Sequence, residues 1–266
     1  MQPDFFLLQF VFQFFHRSHI RKFSLLVFVH YTRQVKFVKF NHCGVKSTVI
    51  FNEFNPIHED GNYVLEAVKP TIIEMIDYIV KSAEEAAALK DWLDKTDFWT
   101  APASTRFHGN FKGGLSLHTL KVIQQALIFT KPLIDNFLTS PGAKNYDISA
   151  QDIFISALCH DFCKTNFYGV EYRNTKDITG NWIKQPFYKT KNESRNLGHG
   201  NESVLMMLEI MPSYIHKRYV LEAVSRHMGF SDLSESEKYN YSNFLSNPLV
   251  LLLQLADQTA SQWFNT

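Results

Sequence analysis

Residues 153–164 read IFISALCHDFCK, in which an apolar helical segment runs directly into the polar pair His160-Asp161. Consecutive residues on a regular helix point about 100 degrees apart and rarely converge on one ion, but near a helix end they can. Phe162-Cys163-Lys164 is typical of such an end. An imidazole nitrogen beside a carboxylate oxygen suits a borderline divalent metal such as manganese, iron, nickel or zinc. The segment therefore predicts a pair of metal ligands at the end of a buried helix.

Two more polar residues occupy apolar helical positions. His118 follows Gly113-Gly114 within an apolar stretch, and Asp257 follows LVLLLQLA, residues 249–256. A buried imidazole needs a partner, and a buried carboxylate is costly without a cation. A metal ion would satisfy both, so these two residues are candidate ligands of the site that contains His160-Asp161.

Composition and charge restrict the class of protein. The chain has 266 residues, of which 45% are apolar and 20% charged, and its formal net charge is +1. This balance predicts a globular protein with a substantial core, and the length allows either one large domain or one domain with a modest appendage. No global field favours nucleic acid, acidic lipid or polyanions, and tight nonspecific duplex binding is disfavoured. An anionic substrate must be attracted locally.

The domain organisation is predicted to change near residue 55. Residues 56–266 are predicted to form a helical domain, interrupted between Lys164 and Gly198 by a hairpin-like excursion. In that excursion Tyr168–Tyr172 and Trp182–Lys184 flank a turn at Thr179-Gly180-Asn181. The predicted helices include Asp147–Asp161, Glu202–Ile210, Lys217–His227 and Pro248–Trp263.

Residues 1–55 form an N-terminal extension that is rich in phenylalanine and poor in acids. Val35–Phe40 and Thr48–Phe51 resemble short strands of a small β appendage, which could dimerise or bind nucleic acid. The alternative is a poorly ordered extension. We favour the latter because aromatic abundance without turn chemistry does not specify a fold.

Cysteine usage and hydropathy predict a cytoplasmic protein with no membrane partner. Cys43, Cys159 and Cys163 form no disulfide framework, and no uninterrupted apolar run of membrane-spanning length occurs. The N-terminus lacks a basic region and a cleavage site for a signal peptide. Cys159 and Cys163 could bind zinc, but a second cysteine pair is missing, so buried apolar thiols are the favoured interpretation.

The order His118, His160-Asp161, Asp257, each on its own helix, resembles the HD superfamily of metal-dependent phosphohydrolases. The resemblance covers roughly residues 65–264. It extends to phrases of small bacterial and phage HD proteins, a branch similar to the HD part of a 3′–5′ exoribonuclease: Ala101-Pro102-Ala103-Ser104-Thr105, Gly113-Gly114-Leu115 with His118, and Leu197-Gly198-His199-Gly200. It implies an all-α helical bundle in which the four residues bind a first metal.

The resemblance also implies a second metal. His199 and His227 lie in the intervals whose histidines hold the second ion of two-metal HD proteins, while Asp161 bridges the two ions. The implied cofactors are one or two divalent ions per chain, from among Mn, Fe, Ni, Mg and Zn. The alternative is that these two histidines only orient phosphate or substrate.

Three residues are candidates for contact with substrate. Lys164 matches a lysine often found just after the pair, and we expect it to bind phosphate or to stabilise transition-state charge. Asp161 and Lys164 are therefore the predicted catalytic residues. Arg226 and His108 are weaker candidates, for which a structural or merely exposed role is the alternative.

The predicted function is hydrolysis of a phosphoester in a nucleotide or a short single-stranded nucleic acid by metal-activated water. Aromatic residues of the inserted segment could stack on a base, although packing within the protein is the commoner role. Two alternatives stay open. One is a di-iron oxygenase of the same fold, and the other is a metal-stabilised nucleotide-binding regulatory module without turnover. The sequence does not determine the oligomeric state.

Overall fold

The computed structural model describes residues 65–191 and 197–266, together with three strand segments nearer the N-terminus. The chain divides into two compact units, Met1–Phe54 and Asn55–Thr266, and each is described by itself.

The described part of the N-terminal unit is an antiparallel sheet. Strands β1 (Leu25–Val27), β2 (Lys36–His42) and β3 (Val45–Phe51) pair in the order β1-β2-β3. Strands β2 and β3 lie on the two stretches that the sequence offered as a small β appendage. The favoured interpretation of residues 1–55, a poorly ordered extension, otherwise falls outside the described residues.

The second unit is mainly helical, which confirms the predicted helical class at that level. The helices are α1 (Val68–Ile79), α2 (Ala83–Lys95), α3 (Gly114–Thr130), α4 (Ala150–Cys159), α5 (His199–Ile210), α6 (Arg218–Ser225), α7 (Glu235–Tyr239), α8 (Tyr241–Phe244) and α9 (Pro248–Phe264). Short 3₁₀ turns and one π-helical segment, Lys131–Asp135, join them. Within the part of the chain that the structure describes, no helix combines the length and the apolar composition that a membrane span requires.

Helix α3 lies at the centre of this unit. Its side chains are buried around most of its circumference, as expected for a core helix rather than a surface one. It packs against α9, α4 and α1. The packing brings together the three elements that carry His118, the His160-Asp161 pair and Asp257.

The N-terminus of α4 is fixed by a capping box. The Ser149 hydroxyl accepts a hydrogen bond from the Asp152 main-chain N–H, and the Asp152 carboxylate accepts one from the Ser149 main-chain N–H. The same carboxylate is fully buried and pairs with Lys217 at 2.5 Å. Because α4 ends at the candidate site, this cap and ion pair also fix the position of His160.

The predicted excursion is an antiparallel hairpin of β4 (Tyr168–Lys176) and β5 (Trp182–Thr190). In its turn, the Asp177 carboxylate accepts hydrogen bonds from the main-chain N–H groups of Thr179 and Asn181. Gly180 has a φ of 87°, a left-handed conformation that favours glycine. The turn therefore forms at Thr179-Gly180-Asn181, the residues for which the sequence predicted it.

Candidate metal centre

The end of helix α4 positions the His160-Asp161 pair. The helix ends at Cys159, His160 keeps helical dihedral angles, and Asp161 leaves them with φ −111° and ψ 20°. A 3₁₀ turn, Phe162–Lys164, follows. This change of direction lets the two side chains converge, with 3.3 Å between His160 Nε2 and an Asp161 carboxylate oxygen. The helix-end geometry expected from the sequence is confirmed.

His118, His160 and Asp257 form a first group of candidate ligands. The Nε2 atom of His118 lies 3.3 Å from Nε2 of His160 and 3.1 Å from an Asp257 carboxylate oxygen. Both histidines are fully buried. The ligand atoms of the three residues lie within 4.8 Å of one another, so the group could hold a metal ion.

The other ring nitrogens determine which atoms face this group. Nδ1 of His118 lies 2.9 Å from the main-chain oxygen of Thr266, and Nδ1 of His160 lies 2.7 Å from that of Ala157. A carbonyl oxygen only accepts, so each Nδ1 carries the proton, and in the neutral ring Nε2 presents a lone pair. Two lone pairs therefore face each other beside a carboxylate, and a cation between them would satisfy all three.

Asp161, Cys163 and His199 form a second group that could hold a metal ion. Nε2 of His199 lies 2.7 Å from Oδ1 of Asp161, and Nδ1 lies 3.2 Å from the Cys163 sulfur. Burial lowers the pKa of His199, although Asp161 opposes this effect. Oδ2 of Asp161 faces the first group and Oδ1 the second. The carboxylate thus has the orientation expected of a bridging ligand.

His227 lies beside the second group. Its Nδ1 is 2.7 Å from the Val224 main-chain oxygen, so Nε2 is the atom directed at Oδ1 of Asp161, 3.5 Å away. This Nε2 is buried and has no hydrogen-bond partner among the described residues. An unpaired buried nitrogen is costly, and a bound ion or a substrate group would relieve that cost.

Lys164 supplies a positive charge to the centre. Its ammonium group donates to Oδ2 of Asp161 at 2.7 Å and is 11% exposed. Burial, the largest single effect, would lower the pKa of Lys164, but the charge and hydrogen bond of Asp161 together with the charges of Tyr168 and Asp257 raise it. Burial would likewise raise the pKa of Asp161, whereas Lys164 and His160 hold it well below its usual range. Lys164 therefore stays cationic and Asp161 anionic at neutral pH.

Two glycines allow close backbone approach near the ligands, one between helix α3 and the loop that contains Gly109 and one between helices α5 and α6. A Cβ on Gly114 would lie 1.9 Å from the main-chain oxygen of Gly109, and one on Gly200 would lie 2.1 Å from that of Ser225. Gly200 is next to His199, and Ser225 is two residues before His227. The absence of a side chain at Gly200 thus lets the ring of His199 on α5 and the ring of His227, just after α6, lie 5.3 Å apart.

The two weaker candidates for substrate contact differ in position. The ring of His108 lies 4.9 Å from that of His118, and its buried Nε2 has no described partner. Burial, with repulsion from His118 and Lys164, lowers the pKa of His108 to about 4, so the ring is neutral at pH 7. Arg226 instead pairs with Glu237 at 2.8 Å and lies over the Phe244 ring, so protein groups occupy it.

A cleft of about 450 Å³ opens beside the centre. Its lining includes charged and titratable groups of the centre, namely His108, Lys164, His227 and Asp257. It also includes neutral polar and aromatic residues, among them Phe230, Ser231, Tyr241, Gln258 and Gln262. The cleft can therefore hold a small ligand whose polar end reaches the candidate ligands.

Cys163 is a candidate ligand that the sequence analysis considered as part of a zinc site but did not favour. The thiols of Cys159 and Cys163 are reduced and buried, as the favoured interpretation predicted. Burial raises the pKa of Cys159 well above its usual value, which makes that thiol inert. Cys163 instead contacts His199. Its position two residues after Asp161 was the available signal, and a sulfur ligand would favour zinc or iron over magnesium.

Comparison with family models, with curated proteins and with solved structures returns no match. The site is therefore interpreted from its own geometry.

Proposed function

We propose that this chain is a metal-dependent phosphohydrolase with a centre of the HD type. The observation that carries the proposal is the convergence of ring nitrogens with lone pairs and carboxylate oxygens in a buried space, with Lys164 alongside. Such a set of acceptors is costly to bury without cations. Two-metal phosphohydrolase chemistry would need two ions held close together, and the two carboxylate oxygens of Asp161 face the two groups of candidate ligands.

The ligands divide into two sets in this proposal. His118, His160, Asp161 and Asp257 hold a first ion, and Asp161, His199 and His227 hold a second, with the Cys163 sulfur adjacent. Divalent ions in these positions supply Lewis acidity, which lowers the pKa of water and polarises a phosphoryl oxygen. No serine or cysteine nucleophile is then required.

The remaining groups act on the substrate. Lys164 stays protonated and lines the cleft, so its ammonium group can bind a phosphoryl oxygen and stabilise the charge that develops on it. The neutral His108 ring lines the same cleft and can exchange one hydrogen bond with a substrate oxygen. Asp257 holds its carboxylate toward His118. These groups orient the phosphate before any bond changes.

The substrate class follows from the cleft and the charge. The cleft volume suits one nucleotide-sized unit, and the amides and hydroxyls in its lining suit a sugar or base more than a row of phosphates. The net charge of +1 also gives no field that would gather a long polyanion. A nucleotide, or the end of a single strand, fits both observations.

Hydrolysis of a chromogenic phosphomonoester and a phosphodiester tests the proposal. The protein is stripped with chelator and each of Mn, Fe, Ni, Mg and Zn is restored separately, with oxygen excluded. We expect turnover that depends on the metal and is lost in Asp161→Ala, while Asp177→Ala, a change in the exposed hairpin turn, keeps it. Absence of turnover with every metal would refute the proposal, and a product formed only with iron and dioxygen would indicate the oxygenase.

A further inference from the structure

The hairpin of β4 and β5 has two chemically different faces. Alternate residues of a strand point to opposite faces, and directly paired residues share one. In the observed register Tyr168, Tyr172, Lys176, Trp182, Lys184 and Tyr188 all lie on the same face. We call this set of six residues the aromatic face.

The aromatic face carries cations without a strand acid to neutralise them. The opposite face differs, because it carries an acidic residue as well as basic ones, and there Glu171 pairs with Lys189 and with Arg173. Lys176 lies 5.2 Å from the Trp182 ring centre, and neither it nor Lys184 forms an ion pair with any described residue. Residues 168–191 carry five basic and two acidic side chains, a net charge of +3, whereas the whole chain carries +1.

The outer aromatic side chains are not packed into the protein. Tyr172 and Trp182 are each 69% exposed, and Val170 between the tyrosines is 51% exposed. Neighbouring aromatic rings that stay exposed to water gain no stabilisation from burial of their apolar surface, and a binding partner that covers them would supply it. Packing within the protein, the commoner role for such residues, therefore does not explain these two.

The inner end of the aromatic face lies at the candidate metal centre. Tyr168 is the fourth residue after Lys164, and burial raises its pKa to about 12 while the nearby Lys164 charge opposes the rise. At the same end the Lys191 ammonium donates to the Asn166 main-chain oxygen at 2.8 Å, which ties β5 to the segment that precedes β4. The strands extend about 30 Å from this point, enough for several stacked bases.

We propose that the aromatic face binds single-stranded nucleic acid and leads its end toward the metal centre. Every base has a face on which an aromatic ring can stack, and the lysines match the phosphates. The unpaired cations favour this partner over a second copy of the chain, whose corresponding face would be equally positive. The inference rests on the proposed function only for the fate of the bound end, because binding itself needs no turnover.

Fluorescence anisotropy with a fluorescein-labelled oligothymidylate of about twelve nucleotides tests the proposal. The titration is made in EDTA, so that failure to bind is distinct from failure to hydrolyse. We expect Tyr172→Ala and Trp182→Ala each to weaken binding about tenfold, as loss of one stacked base predicts. The matched control is Ile183→Ala, on the opposite face and 44% exposed, which should bind like the wild type.

Three outcomes would overturn the proposal. The wild type could fail to bind the oligonucleotide, the two aromatic variants could bind as tightly as the wild type, or a duplex of equal length could compete as well as the single strand. Light scattering in the same buffer measures the oligomeric state and adds a fourth such outcome. A wild-type dimer that becomes a monomer in Trp182→Ala would show that the aromatic face binds a second copy of the chain. If the protein binds the oligonucleotide but hydrolyses no phosphoester, the proposed binding by the aromatic face is supported and only the proposed phosphohydrolase activity is rejected.

Discussion

At the residue scale, the candidate centre depends on where the imidazole protons lie. His118, His160 and His227 each direct Nδ1 at a main-chain oxygen within 2.9 Å, so that Nε2 faces the shared space. The backbone thus fixes the orientation of three rings before any ligand is bound. Preorganisation of this kind is expected of a metal site and has no evident benefit in an ordinary core.

Lys121 offers a residue-scale prediction about stability. It is 8% exposed on α3, its ammonium group lies 3.7 Å from the Phe264 ring centre, and burial lowers its pKa to about 8. The unfolded chain, with an ordinary lysine pKa of 10.5, binds more protons between these values, so this residue should make stability rise with pH from about 8.

We therefore expect Lys121→Met to raise the free energy of unfolding at pH 7 by about 1 kcal/mol, because the buried charge is removed. Urea denaturation at pH 7 and pH 9 measures both effects. The variant should lose part of the wild-type rise in stability between the two values. A destabilised variant with an unchanged pH dependence would show that the ammonium is well solvated.

Individual ligands could be predicted from the sequence only where a polar residue interrupts an apolar pattern. His118, the His160-Asp161 pair and Asp257 meet that criterion, and the structure brings all four together. Cys163 does not, because a thiol fits an apolar environment and causes no interruption. Arg226 was a weaker candidate for substrate contact, but it pairs with Glu237 of α7, a contact that no local sequence pattern reveals.

At the scale of elements, the contact between α5 and α6 sets the spacing of His199 and His227. We expect Gly200→Ala to force these helices apart, because the new Cβ would overlap the Ser225 main-chain oxygen. The free energy of unfolding should fall by about 2 kcal/mol or more, and the second ion should be lost before the first. Metal titration followed by thermal unfolding measures both.

The control for this prediction is Gly142→Ala. Its nearest neighbours would lie 3.7 Å from the new Cβ, an ordinary contact, so stability and metal content should stay within error of the wild type. Equal metal content in both variants would mean that the approach of α5 to α6 does not position the second ligand set.

The cap of α4 gives a second prediction at this scale. Asp152→Ala removes the capping box and leaves Lys217 without its buried partner, so we expect a loss of about 3 kcal/mol in the free energy of unfolding. Chemical denaturation checks the value. Asp91→Ala, which breaks an exposed pair with Lys95, should cost less than about 0.5 kcal/mol. Similar losses in the two variants would contradict the importance of this cap.

Helix positions were predictable because apolar spacing and capping residues are local. Helices α4, α5, α6 and α9 and the turn between β4 and β5 occur on the stretches that the sequence analysis predicted for them. The boundaries were less predictable: α4 begins at Ala150 rather than Asp147, because the Ser149–Asp152 box fixes the first turn. Helix α6 ends at Ser225, before His227, which frees that ring to turn toward Asp161.

At the scale of the whole molecule, a chain with a net charge of only +1 has two local charged regions that bear on the substrate. One is the buried centre around Asp161 and Lys164, and the other is the segment 168–191, the hairpin together with Lys191, whose net charge is +3. A long polyanion would find no continuous field, whereas a small phosphoester or a single strand would find a local one. The cleft and the aromatic face are therefore both consistent with the same substrate, a nucleotide or the end of a single strand.

The central claim is that the buried acceptors hold metal ions, and the metal content of the protein tests it most directly. The protein is purified without chelator, with oxygen excluded, and analysed for all transition metals by mass spectrometry. The account predicts about two ions per chain in the wild type, about one in His199→Ala and none in Asp161→Ala. Wild-type protein that holds no ion after incubation with manganese or iron, or Asp161→Ala protein that keeps its full metal content, would contradict it.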